Sequence, residues 1–315
     1  MIRVVFMGTP DFSVPVLKGI IDSSEYDVVG VVSQPDKKVG RHQILTPSPI
    51  SKVAIDNNIK LLRIEKIRTN YEEVLDLRPD IIITCAYGQI IPKEILDYPK
   101  YGCINVHASL LPKLRGGAPI HHAIIDGYKE TGVTIMYMDE KMDNGDIISQ
   151  DKTIIDDEIV LDELYNKLSI MGSNLLINTL PSIIDGSNSR IKQDINDVTF
   201  GYNITKEEEH IDFNNNIDNV YNRIRGLSSI PGAYTIINNK RMKVYMALKT
   251  NIESNKRPGT IIDINKEGIF VSTKDYVIKL TDVKLEGKKR CNVKDLINGI
   301  KKDELIGVVL EWKIK

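Results

Sequence analysis

Short apolar runs ended by glycine or polar residues punctuate the first third of the chain: IRVVFMG at 2–8, DVVGVVSQ at 27–34, DIIITCAYG at 80–88 and GCINVHA at 102–108. Runs of this length suit strands buried on both faces of a parallel sheet. Helix-like stretches lie between them, among them VPVLKGIIDS and SPISKVAIDNN, the second opening with the Ser and Pro favoured at a helix start. Alternation of strand and helix from the first residues predicts a doubly wound α/β domain with a mainly parallel sheet. TGVTIMYM and GDIISQDKTII add two strand candidates. VLDELYNKLSIMGSNLLINTLPSII, with apolar residues at helical spacing, closes the domain near residue 185.

The pattern then changes. A polar, Asn-rich and weakly periodic stretch follows, which places the first domain at 1–189 and a linker at 190–206. Beyond it, IDNVYNRIRGL predicts a helix, and MKVYMAL, GIFVST and YVIKLTDVKL predict short strands separated by turns. Several such strands in 207–315 suggest a small all-β barrel or sandwich.

With 42% hydrophobic and 27% charged residues the chain is of ordinary globular composition, which excludes a disordered protein. The chain opens on a strand pattern, and no apolar run reaches the length of a membrane span, so a cytoplasmic protein without a membrane partner is expected. Cys85, Cys103 and Cys291 are widely spaced, with neither a CxxC pair nor His at ligand spacing, which argues against a disulfide framework and a zinc site. The overall net charge of −1 conceals an asymmetry. Residues 201–315 hold 21 Lys and Arg against 15 Asp and Glu, whereas residues 1–200 hold 21 against 28. A basic appendage on an acidic domain suggests a polyanionic partner.

Ligands of open parallel sheets bind at the carboxyl ends of the strands. The first such end, MGTPDFS, is not GxGxxG and gives little support to a dinucleotide cofactor. The end at 102–109 is richer, because Asn105 and His107 lie two apart on a strand and share a face. An amide N–H donor beside an imidazole suits acyl-type transfer, which needs a stabilised oxyanion and a proton shuttle. HASLLP around Ser109 is not a nucleophile elbow, so a covalent serine mechanism is disfavoured. In MDEKMDNGDII, Asp139, Asp143 and Asp146 surround an Asn-Gly turn, and any of them could bring a carboxylate to the imidazole. Spacing does not choose among them.

The stretch NVHASLLPKLRGGAPIHHAIIDGYKETGVTIMYMDEKMDNGDII resembles the signature of the folate-dependent formyltransferases, with Asn, His, SLLPxxRG, TGVT and D-x-G-D in matching order. The resemblance implies a Rossmann-like formyltransferase fold and a catalytic set of Asn105, His107 and Asp143. It also implies 10-formyltetrahydrofolate as formyl donor, with no metal. The backbone of Gly88, Gln89, Ile90 and Ile91, and that of Ser109, Leu110, Leu111 and Pro112, would line the pterin pocket. FMGTPDFSVPVL, QPDKKVGRHQILTPSPI, AYGQIIP and IRGLSSIPGAYT are similar to the family members that formylate methionyl initiator tRNA. In those members the C-terminal domain is an OB-like β-barrel that helps bind tRNA. Their loop after the second strand enters the acceptor end, which makes Arg41, helped by Lys37 and Lys38, the expected tRNA contact. GRHQIL and SSIPGAY depart from the common forms of this loop and of the NPWPGAF segment. A monomer is expected.

Overall fold

The computed structural model describes residues 1–40, 42–297 and 302–311. Arg41, and with it the principal expected tRNA contact, lies outside the described residues. The chain divides into two compact units, one formed by residues 1–119, 130–154 and 165–202, the other by residues 120–129, 155–164 and 203–315.

The first unit holds, in order, β1 (Ile2–Gly8), α1 (Val14–Ile21), β2 (Tyr26–Ser33), β3 (Lys37–Val39), β4 (Ile44–Thr46), α2 (Pro49–Asp56), β5 (Leu61–Arg63), α3 (Glu72–Leu75), β6 (Ile81–Cys85), α4 (Lys93–Leu96) and β7 (Cys103–His107). After α5 (Pro119–Ile125), which apart from Pro119 belongs to the second unit, come β8 (Glu130–Tyr137), β9 (Ile147–Ile154) and α6 (Leu161–Asp185). Seven strands form one sheet in the order β5-β2-β1-β6-β7-β8-β9. β5 through β7 run parallel, and β8 and β9 join them antiparallel. The continuous apolar runs have their cause here: Val4, Val5, Phe6 and Met7 are fully buried, as are Ile81, Ile82 and Ile83. On one face Val5, Met7, Val32 and Ile82 cluster with Val74 and Ile95 of α3 and α4. α6 lies against β7 and β8, where a Cβ on Gly172 would meet Val106 and Val133. It is tied to the start of α1 by Ser169 Oγ donating to the Phe12 carbonyl and Ser173 Oγ to that of Pro15. Ser48 caps α2, accepting from the Ser51 N–H, and Pro49 opens the helix.

The second unit contains α7 (Ile217–Gly226), β10 (Ala233–Ile237), β11 (Lys240–Glu253), β12 (Ile261–Asn265), β13 (Gly268–Ser272), β14 (Tyr276–Leu285), β15 (Cys291–Asn292) and α8 (Val293–Leu296). Its antiparallel sheet runs β10-β11-β14-β13-β12, with β15 on β14. Residues 307–311 bond both edges: Leu310 N–H donates to the Gly259 carbonyl, and Glu311 exchanges bonds with Ile236 of β10. The ring of strands thereby closes, which removes open edges. The apolar face of α7, with Ile217, Val220 and Ile224, packs into the core that Val244, Val271, Ile278 and Leu280 build.

Candidate active site

In the sheet of the first unit the strand order reverses between β1 and β6, which creates the crevice where open α/β sheets bind ligands. The loops leaving β1, β2 and β6 are joined there. Thr9 Oγ1 donates to the Tyr87 carbonyl and accepts from the Gln34 N–H, and Gln34 Nε2 donates to the same carbonyl. The next strand, β7, ends on Asn105 and His107, two residues apart and on one face.

His107 is buried, and its Nε2 lies 3.0 Å from the Leu114 carbonyl. A carbonyl only accepts, so Nε2 carries the proton and Nδ1 is left with the lone pair. Nδ1 faces Asp143, with Oδ1 at 3.6 Å, longer than a hydrogen bond, and the two form a charge pair only when the imidazole takes up a proton. Asp143 Oδ2 accepts from the Gly116 N–H at 2.8 Å, and Oδ1 faces Asn105 Nδ2 at 3.4 Å. A carboxylate demands the NH2 side of the Asn105 amide, and the other side, Oδ1, accepts from Thr84 Oγ1 at 2.8 Å. Amide, imidazole and carboxylate thus meet at the end of β7, although 35 residues of chain separate His107 from Asp143.

Two main-chain constraints hold this arrangement. Asp143 has φ of +50° and Gly116 φ of +121°, where a Cβ on Gly116 would stand 2.7 Å from the Gly201 carbonyl oxygen. Arg115 is buried and donates to Gln193 Oε1 and Asn144 Oδ1. Gln193 in turn donates to the carbonyls of Asp143 and Gly145. Leu114, Gly116, Arg115, Thr84 and Gln193 are therefore parts of the site to which the sequence reading gives no role. Main-chain partners leave no side-chain signature, and Gln193 lies in a stretch without periodicity.

The loop 109–112 is braced from within. Thr134 Oγ1 donates to the Ser109 carbonyl and accepts from the Leu111 N–H, Gln150 Nε2 donates to the Leu111 carbonyl, and Ser109 Oγ donates to the Lys113 carbonyl. Leu111 is buried, while Leu110 and Pro112 are half-buried. In the loop after β6, Gly88 has φ of +84° and Ile91 belongs to the core, whereas Ile90 is 60% exposed. Gln89 is spent on structure, accepting from the Ile67 N–H and donating to the Ile64 carbonyl. Lys37 and Lys38 stand exposed on the β3–β4 hairpin, whose base is closed by a hydroxyl bond between Ser33 and Ser48. Among the described residues no three His, Cys, Asp or Glu are grouped to hold a metal ion, and no helix is long and apolar enough to cross a membrane.

Residues 2–180 match the formyl transferase family, and residues 203–301 match the formyl transferase C-terminal domain. The fold and the matched segments define the chain's class as that of the formyl transferases. A methionyl-tRNA formyltransferase of Bacillus licheniformis is 49% identical over 302 residues, 95% of each chain, and that of Bacillus subtilis is 47% identical over 98% of each. The chain belongs to the methionyl-tRNA formyltransferase family. Two solved structures share its fold: an N-formyltransferase from Helicobacter canadensis in complex with folinic acid and dTDP-3-aminofucose, and methionyl-tRNA formyltransferase from Clostridium thermocellum. The first has a TM-score of 0.69 at 22% identity, covering 89% of this chain and 99% of that one. The second has a TM-score of 0.56 at 18% identity, covering 89% and 100%.

Proposed function

We propose that the chain transfers the formyl group of 10-formyltetrahydrofolate to the α-amino group of methionine esterified to initiator tRNA, yielding N-formylmethionyl-tRNA for translation initiation, and that it acts as a cytoplasmic monomer. The observation that carries this reading is the convergence of Asn105 Nδ2, His107 Nδ1 and the Asp143 carboxylate at the carboxyl end of β7. An α-amino group has a pKa near 8, so a useful neutral fraction exists at cellular pH. That nitrogen attacks the formyl carbon, and the carbonyl oxygen takes up the electron pair. The second N–H of Asn105 donates to the developing oxyanion. His107 accepts the proton of the attacking nitrogen at Nδ1, and the resulting imidazolium sits between two acceptors, the Leu114 carbonyl and Asp143. Collapse expels N10 of the folate, which takes the proton from His107, and tetrahydrofolate leaves. No step needs a metal. The loops 88–91 and 109–112 line the pterin pocket, and Lys37, Lys38 and Arg41 meet the acceptor end. The basic barrel offers phosphates a groove lined by Arg241, Lys243 and Lys284, three cations against the one carboxylate of Glu286.

Incubation with 10-formyltetrahydrofolate and methionyl initiator tRNA should yield N-formylmethionine after ester hydrolysis, and His107→Ala should abolish the product while tRNA binding persists. Formylation of a free amino-sugar nucleotide with methionyl-tRNA left untouched would overturn the acceptor assignment.

A further inference from the structure

Phe200 and Tyr202 form a parallel stack, with ring centroids 5.1 Å apart and planes inclined by 5°, yet they are 45% and 58% exposed. Stacking covers one face of each ring, and solvent still reaches both residues. Their backbone is firmly placed. Residues 199–201 run beside 114–118: Arg115 N–H donates to the Thr199 carbonyl, Gly201 N–H to that of Arg115, and Ala118 N–H to that of Gly201. Leu114 N–H also donates to Thr199 Oγ1. The strip at 114–116 is the one that supplies the Leu114 carbonyl to His107 and the Gly116 N–H to Asp143. The aromatic pair is therefore built one chain width, about 4.8 Å, from the backbone that orients the reacting groups.

We propose that Phe200 and Tyr202 are a stacking platform for an unpaired nucleobase at the 3′ end of the acceptor. This rests on the acceptor reading above. In an aminoacyl ester the reacting amine is only a handful of bonds from the terminal ribose, so the last bases of the acceptor strand must lie beside the reaction centre. An exposed aromatic pair held rigidly there offers a π-face to a base of any identity. Stacking on it would hold the strand end without reading sequence, leaving discrimination among tRNAs to other contacts.

The test uses a methionyl minihelix with 2-aminopurine in place of the terminal adenine. Binding to the native chain should quench its fluorescence, and the variant carrying both Phe200→Ala and Tyr202→Ala should bind without quenching. Its KM for the methionyl acceptor should rise about tenfold or more, with the KM for the formyl donor unchanged. Tyr202→Phe, which keeps the ring, should restore both. Absence of quenching by the native chain, equal quenching by the double variant, or a parallel rise in both KM values with a lowered melting temperature would overturn the platform. Failure of the native chain to formylate methionyl initiator tRNA would instead overturn the acceptor reading, and the platform with it.

Discussion

His107 takes its orientation from the carbonyl of Leu114 rather than from a side chain, and this decides which of its nitrogens carries the lone pair. The sequence pairs Asn105 with His107 through their strand spacing, and resemblance selects Asp143, but no residue pattern marks a carbonyl as the group that sets the tautomer. The structure brings Asp143 nearest through Gly116, whose positive φ and close approach to Gly201 leave no room for a Cβ. At this scale the Asn105 donor is the most direct test. Replacing Asn105 by Ala should lower kcat by about 10²- to 10³-fold, or roughly 3–4 kcal/mol, as for other oxyanion donors. Steady-state rates at saturating folate and acceptor check it, and an unchanged kcat would remove Asn105 from the chemistry.

Among the elements, the long apolar runs were the most legible, because burial on both faces of a parallel sheet forces them to be apolar throughout. The β3–β4 hairpin was not, since Val39, Ile44 and Leu45 are more than half exposed and alternate with nothing buried. The stretch after α6 shows the same limit. Read as linker, residues 191–202 instead pair with the first unit, through the bridge of Ile191 to Ile147 and the bonds of 199–201 to 114–118. Such pairing uses main-chain groups and a few polar side chains, so it leaves no apolar period. Gln193 is the joint of this segment, and Gln193→Leu should strip Arg115 of its carboxamide partner and release the carbonyls of Asp143 and Gly145. A fall in kcat/KM of about tenfold, with the melting temperature little changed, is the expected outcome of losing a positioning bond to a charged group. A large loss of melting temperature with intact kcat would mark Gln193 as structural only.

For the whole molecule, the barrel unit predicts a pH response. Burial lowers the pKa of His210, against the opposing bond to the Glu311 carbonyl, and burial likewise lowers that of His121, against its bond to the Ile230 carbonyl. The unfolded chain therefore binds more protons than the folded one just below the ordinary histidine value. Stability is full above about pH 6.5 and declines as the pH falls from there toward the depressed folded-state values. Thermal melts at pH 7.5 and 5.5 should place the barrel's transition lower at the acidic value, above the range where carboxylates titrate. His210→Gln should reduce the difference, and a transition independent of pH across that interval would contradict the assignment.

The sequence by itself determined the two-part organisation, the parallel core strands and the strand carrying Asn105 and His107, because each is written in local periodicity or in a contiguous motif. Tertiary structure alone decided the antiparallel return of β8 and β9, the closure of the barrel by residues 307–311, and the meeting of Asp143 with His107 through Leu114 and Gly116. The division follows from the physics of the interactions. Apolar burial repeats with the chain's own period and can be read along it, whereas hydrogen bonds between main-chain groups distant in sequence depend on which segments the fold brings side by side.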